Sequence, residues 1–208
     1  MKTAIFSLIG VIVGAFLATA KDWWFERRRQ KKNLSYLAIH VVNILDRFVA
    51  SCIEVTQDDG LCYGQRDEQG CKVPQAEHPT IDFMSIDVEW RSLSPKLMYE
   101  ILNFPTLIED AKSYISIVTE YEAEPPDYEE YFETSTIKFS ELGLLAIDLS
   151  NKLRELGNLP SANENEEGWS RRELLNKAKI ETIEVAEKRR KRQQELMNDL
   201  EIMNKNKA

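Results

Sequence analysis

The chain has 208 residues, of which 43% are hydrophobic and 30% charged, with three cysteines. Collagen-like, disulfide-dense and wholly disordered proteins have compositions far from these, and the apolar content is enough for one modest core. The formal net charge of −8 argues against a nucleic-acid-binding protein, because such proteins cluster Lys and Arg against phosphates. No nucleic-acid partner is therefore expected.

The first predicted element is a membrane span. Residues 3–20 read TAIFSLIGVIVGAFLATA, without a charge, and Lys2 and Lys21 bound this stretch. At about 1.5 Å per residue such a helix is roughly 27 Å long, close to the thickness of a bilayer's hydrocarbon core. The sequence therefore predicts a single-pass transmembrane helix with the lipid bilayer as its partner.

A belt of aromatic and basic residues follows the apolar run, and we predict that it lies at the membrane interface. Tryptophan rings favour headgroup depth, and an excess of Lys and Arg marks the cytoplasmic side of a span. Only Lys2 and the α-amino group lie on the other side. The N-terminus is thus predicted outside and the C-terminal domain in the cytoplasm. The predicted interface residues are Trp23, Trp24, Arg27, Arg28, Arg29, Lys31 and Lys32.

A cleaved secretory signal is the alternative for the same segment. Lys2 would supply its basic n-region, and Ala18-Thr19-Ala20 fits a small-x-small cleavage site. Cleavage would leave an exported protein. The basic belt after the apolar run favours an uncleaved signal-anchor instead.

One face of the predicted span carries small residues. Gly10, Gly14 and Ala18 are spaced four apart, which lets a second helix backbone approach closely. This spacing predicts a homodimer through the transmembrane helix. Glycine is also common in membrane helices in general, so a merely compositional explanation stays open.

After the anchor and basic juxtamembrane segment (1–33), residues 34–160 are predicted to form an α-helical cytosolic domain. Apolar residues recur at helical spacing from Leu34 to Val55, and no Gly or Pro separates this helix from the span. Residues 58–80 carry several Gly and Pro and predict a long loop, with a short β-hairpin around residues 66–69. The alternation of apolar and polar residues from Met84 to Trp90 predicts a strand.

Helix start and stop signals follow. Ser94 with Pro95 predicts a short helix to about Asn103, and capping boxes at Thr106 and Asp127 predict two further helices. The Pro-Pro turn at 125–126 should make these two pack antiparallel, and the second should end at Gly157. Gly143 in its middle suggests a close neighbour. The glutamates around the turn are predicted to form an exposed acidic shoulder: Glu120, Glu122, Glu124, Glu129, Glu130 and Glu133.

The C-terminal region (161–208) is predicted to be a polar linker and a long charged helix. Ser170 and Glu173 form a capping box, and no Gly or Pro follows Arg171. The basic run 188–192 fits either a nucleic-acid or membrane-surface patch, or a solvated helix with ion pairs to nearby glutamates. The second is favoured because the region is nearly neutral, with 11 basic and 10 acidic residues. Its thin apolar stripe is compatible with a coiled coil.

Motifs for catalysis are missing from the sequence. The three cysteines and two histidines have no zinc spacing, and neither a metal site nor a cofactor is predicted. We therefore expect a membrane-anchored scaffold or adaptor that binds a protein partner. The alternative is a membrane-tethered enzyme or effector with its site in the 58–80 loop, where Asp58, Asp59, Cys71 or His78 would take part.

Overall fold

The computed structural model describes residues 2–162 and 170–205, and within them the side chains of residues 21, 23–162 and 170–199. These residues form five α-helices and one short 3-10 turn, with no strand among them. The predicted mainly α-helical fold is confirmed. The helices are α1 (Lys2–Thr56), α2 (Pro95–Leu102), α3 (Phe104–Tyr121), α4 (Glu129–Gly157) and α5 (Arg171–Lys205).

Helix α1 is a single helix of 55 residues, as the absence of Gly and Pro after the predicted span suggested. Among the described side chains, its stretch from Trp23 to Thr56 is long and apolar enough to cross a membrane by length and composition. However, 44% of the most apolar 18-residue part of this stretch is buried inside the protein. The stretch therefore serves as the core helix of the domain. The predicted span at residues 3–20 lies upstream on the same helix.

Helix α4 lies at the centre of the domain and runs antiparallel to α1. A Cβ added to Gly157 would lie 2.7 Å from the Cβ of Ala38, and one added to Gly143 would lie 3.2 Å from the Cβ of Cys52. Residue numbers therefore rise along one helix as they fall along the other. The close neighbour expected at Gly143 is present.

Helices α3 and α5 also pack on α4, and α5 runs antiparallel to it. On one side, the Lys138 ammonium lies over the Tyr114 ring of α3 at 4.7 Å. On the other side, Arg172 of α5 pairs with Asp148 at 2.6 Å, and seven residues later Lys179 pairs with Glu141 at 2.9 Å. Because α1 and α5 both run against α4, they run parallel to each other.

The core fills the space between α1, α2, α3 and α4 and includes Leu175 at the start of α5. The buried faces follow the 3.6-residue period expected of amphipathic helices. Phe48 of α1 meets Phe104 of α3 edge-on, with ring centroids 5.3 Å apart. The largest side chains that are almost completely buried include Phe83, Phe104, Phe139, Leu37, Leu45, Ile101 and Ile108.

Two of the predicted helix starts are confirmed in atomic detail. The hydroxyl of Ser94 accepts the Leu97 N–H at 3.4 Å at the start of α2. At the start of α5, the Glu173 N–H donates to the Ser170 hydroxyl at 3.2 Å, and the Ser170 N–H donates to the Glu173 carboxylate at 3.5 Å. This reciprocal pair is the capping box that the sequence predicted.

The other two predicted capping boxes were wrong. Helix α3 begins at Phe104 with Pro105 in its first turn, because a proline there loses no helical hydrogen bond. Helix α4 begins at Glu129, and its preceding residue Tyr128 has a left-handed backbone with no side-chain cap. The Asp127 carboxylate binds Arg66 of the loop instead, at 2.6 Å.

The predicted β-hairpin and strand are also corrected. Within the described residues, the 58–80 loop holds one isolated bridge, between Cys62 and Gln65, rather than a ladder around residues 66–69. The Asp67 carboxylate accepts the N–H groups of Gln69 and Cys71, which a ladder would need. Residues 84–89 form an irregular segment that ends in the 3-10 turn at Trp90. Ile86, Val88 and Trp90 pack against the core from one side, whereas Met84 is exposed.

Candidate functional site

The predicted membrane interface lies on an exposed part of α1 between the apolar N-terminal stretch and the domain. Trp23, Trp24 and Phe25 are 57%, 54% and 52% exposed, although aromatic rings of this size are usually buried. The five predicted interface cations, from Arg27 to Lys32, are exposed as well. We call residues 21–33 the stalk. Its surface combines apolar rings and positive charge around one helix.

Cations and rings pair along the stalk. The Arg27 guanidinium lies 3.8 Å from the centroid of the Trp23 ring, and that of Arg28 lies 5.5 Å from the Trp24 ring. These pairs are four residues apart, so the helix itself holds them together. An exposed cation-π contact of this kind contributes about 0.5–1 kcal/mol. The rings are thereby presented beside positive charge, the combination that suits a lipid headgroup layer.

The stalk separates the domain from the apolar stretch. Among the described side chains of α1, Leu37 is the first that is fully buried in the core. Leu37 lies seventeen positions after Ala20, which is about 25 Å further along the helix axis. Since α1 is unbroken, this separation is set by a helix rather than by a flexible linker.

The predicted helix-association residues, Gly10, Gly14 and Ala18, lie on the described backbone of α1. Their surroundings and those of the whole 3–20 stretch fall outside the described side chains. Association through this face stays a prediction.

The 58–80 loop is organised by the Asp58 carboxylate. One of its oxygens accepts the Gly60 N–H at 2.8 Å, and the other accepts the N–H groups of Gln75 and Ala76 at 2.7 and 2.9 Å. Charged acceptors of this kind make the stronger hydrogen bonds in proteins. Asp58 therefore closes the loop on itself, and this structural use differs from the catalytic role considered for it.

The other candidates in the loop are dispersed. Asp59 accepts the Leu61 N–H at 3.0 Å at the loop's surface. Cys71 is partly buried and Cys62 exposed, and both are free thiols. Burial raises the pKa of Cys52, the third free thiol, which lies in the core. Among the described hydrogen bonds, none joins Cys71 to His78.

His78 is brought to a specific environment on α4. Its Nε2 lies 3.3 Å from the Tyr131 hydroxyl and 3.4 Å from the Ser135 hydroxyl. Its ring packs on Phe139 with centroids 4.7 Å apart. Burial and the positive charge of Lys112 lower the pKa of His78, and the negative charge of Asp58 partly opposes them. The neutral ring fastens the far end of the loop to the central helix.

We expect this fastening to make the stability of the protein depend on pH. The folded-state pKa of His78 is lowered, so the unfolded state takes up a proton first as the pH falls below about 6.5. The free energy of unfolding should be constant above that pH and fall between it and the folded-state pKa. Urea unfolding at pH 7.5 and 5.5, roughly one unit on either side, measures this loss. In the His78→Gln variant the free energy of unfolding should fall less between these two pH values. An equal decrease in both proteins would show that groups other than His78 cause it.

An ion-pair cluster that sequence analysis missed joins α5 to the start of α4. Arg189 donates to Glu129 at 2.9 Å and to Glu130 at 2.6 Å, and it also pairs with Glu133. The Arg189 and Glu133 side chains are only 17% and 15% exposed. Burial raises the pKa of Glu133, the neighbouring glutamates add to this, and Arg189 opposes it. We call these four residues the α4–α5 clamp.

The clamp corrects two expectations. The basic run 188–192 pairs through Arg189 with a distant helix, rather than with nearby glutamates of its own helix. Glu130 and Glu133 are partly buried at this contact, so the predicted acidic shoulder is exposed only in part. Beyond the clamp α5 continues to Lys205, about 24 Å further, and residues 190–199 are exposed. We call residues 190–205 the arm.

Two open clefts accompany these features. One, of about 750 Å³, lies beside Asp46, Arg154 and Arg171, where Arg154 is already paired with Asp46. The other, of about 470 Å³, lies between α1 and residues 79–86. His78 lines neither. Within the described residues, no group of three or more His, Cys, Asp or Glu side chains is arranged to hold a metal ion.

No family model matches the chain, and neither the curated proteins nor the solved structures include a significant match to it.

Proposed function

We propose that this protein is a single-pass membrane-anchored scaffold or adaptor that presents a helical protein-binding domain at a fixed distance from the bilayer. The observation that supports it most is the continuity of α1. One helix joins the uncharged 3–20 stretch, the aromatic and basic stalk and the domain core. An anchor on a flexible linker would tether the domain, whereas this helix also orients it.

The stalk supports the orientation that we propose. Five cations between residues 27 and 32 follow the apolar stretch closely, at the boundary with the domain. The positive-inside rule then keeps the domain in the cytoplasm and the N-terminus outside. The same cations would bind anionic headgroups, each contributing about 1 kcal/mol near the surface. Export after signal cleavage is the alternative location.

The domain supports a binding role through its surface. The region 58–160 carries 8 basic and 21 acidic residues, while the stalk side is basic. A negatively charged leaflet repels an acidic domain, which keeps its surface available for a soluble partner. At the far end, the exposed arm extends away from the anchor, since α5 runs parallel to α1. A helix face in this position suits a protein partner.

The alternative function, an enzyme or effector using the 58–80 loop, has one observation in its favour: His78 lies near two hydroxyl groups. Ser135, however, is only 3% exposed, and the cluster lines neither described cleft. A nucleophile needs access to substrate as well as a base. The cluster fits loop attachment better than it fits catalysis.

Flotation tests the anchor. The full chain is reconstituted with vesicles of phosphatidylcholine and phosphatidylglycerol, washed with alkaline carbonate and centrifuged in a density gradient. We expect it to float with the lipid after the wash, because a spanning helix is not removed with peripheral proteins.

A chain that lacks residues 2–20 but keeps the stalk is the matched control. It should be released by the wash while keeping its helical circular dichroism. Release of the full chain, or equal retention of the shortened one, would contradict the proposed anchor.

A further inference from the structure

The arm extends the face of α5 that packs on α4. Leu175 and Ala186 lie on that face and are 0% and 7% exposed. Arg189 lies on it as well, and its side chain is 17% exposed. Helix α4 begins at Glu129, beside Arg189, and gives no further cover. The same face therefore continues beyond the end of its partner helix.

Helical spacing shows which arm residues occupy this face. Leu196 follows Arg189 by seven residues, which is about 20° short of two full turns, so both lie on nearly the same side of the helix. Leu196 is 61% exposed. Steps of alternately four and three residues from Arg189 give the other positions of this face. In order, the face carries Gln193, Leu196, Leu200 and Met203.

We infer that this arm face pairs in parallel with the same face of a second copy of the chain in the same membrane. The inference rests on the proposed anchor. Because α1 is unbroken and α5 runs parallel to it, every anchored copy carries its arm at the same height and in the same direction. Two neighbouring copies then present matching positions to each other, with Leu196 opposite its counterpart.

The charges of the arm are compatible with this pairing. Lys191 lies on the side away from Leu196, while Arg190 and Arg192 lie at the flanks, as 100° per residue places them. The contact itself thus carries no charge, and the flanking cations add a repulsion that salt screens. An arm of 16 residues is short for a stable coiled coil in solution. Confinement to a membrane raises the effective concentration of the second arm.

Site-directed cross-linking in vesicles tests this inference. Cys62 and Cys71 are replaced by serine in the full chain, and a single cysteine is placed at residue 193 (Gln193→Cys) or at residue 198 (Asn198→Cys). In a parallel pair, position 193 lies at the contact and position 198 on the outer side. We expect an oxidant to form covalent dimers through Gln193→Cys, with far fewer through Asn198→Cys.

A second pair of variants tests the face itself. Leu196→Glu and Met197→Glu make the same change at neighbouring residues that are 61% and 60% exposed, but about 100° apart around the helix. Neither should alter the fold of the monomer. In the Gln193→Cys chain, Leu196→Glu should lower the dimer yield about tenfold, which corresponds to about 1.4 kcal/mol, and Met197→Glu should lower it much less.

Flotation of the same samples separates the two proposals. A chain that floats but cross-links equally at both positions, or is insensitive to Leu196→Glu, overturns the arm pairing and leaves the anchor standing. A chain that does not float overturns the anchor and, with it, pairing in a shared membrane. A floating chain with the expected cross-linking pattern supports both.

Discussion

Arg189→Ala should destabilise the protein by about 2–3 kcal/mol and release the second half of α5 from the domain. Removing one partner of a buried ion pair costs about 3–5 kcal/mol, because the remaining charge stays desolvated, and partial exposure of the clamp reduces this. Three carboxylates would then face each other within one turn of α4. Urea unfolding gives the free energy, and hydrogen exchange should show faster exchange in α5 beyond residue 182.

The neighbouring variant Arg190→Ala is the control, because Arg190 is exposed and surface changes usually stay within about 0.5 kcal/mol. The loss in free energy of unfolding caused by Arg189→Ala should be smaller in acid, because protonation removes the repulsion among the glutamates. The pKa of Glu133 is already raised, so this glutamate takes up a proton first. Equal stability of the two variants would show that the clamp does not hold α5.

Phe139→Ala should have the largest effect on the fold, about 3–5 kcal/mol, which is the usual range for removing a buried phenylalanine. Phe139 has 0% exposure on the central helix, and the His78 ring rests on it. The substitution leaves a cavity in the core and removes the support of the loop's fastening. Hydrogen exchange in residues 72–80 should therefore increase more than global unfolding alone explains.

Leu145→Ala on the same helix is its control. Leu145 is 37% exposed, so it loses little buried surface when truncated. We expect a cost of about 1 kcal/mol or less and no change in loop exchange. Equal costs for the two variants would contradict the burial of Phe139 in the core.

Local signals in the sequence were enough for most of the helices. Ser94 and the pair of Ser170 and Glu173 bond as capping residues do, because a cap depends on atoms only three residues apart. Asp127 shows the limit of such signals: its carboxylate is taken by Arg66, 61 residues away. The same competition explains the missing hairpin, since Asp58 and Asp67 bind backbone groups that strands would otherwise use.

The candidate site divides in the same way. The rings and cations of the stalk lie on one continuous stretch of helix, so their positions could be read from the sequence, and their place at a membrane interface stays a prediction. The α4–α5 clamp joins residues 56 to 60 positions apart, and no periodic pattern signals such a pairing. One local clue was available elsewhere: Asp46 stands among apolar neighbours of α1, and it proves to bind Ser150 and Arg154 of α4.

The claim on which the account depends is that α1 holds the domain in a membrane with its C-terminal side in the cytoplasm. Two reporters fused to the C-terminus of the full chain test it, one active only outside the cytoplasm and one active only inside. We predict activity of the inside reporter alone, on protein of uncleaved length. Activity of the outside reporter, or a new N-terminus at Lys21, would contradict this claim.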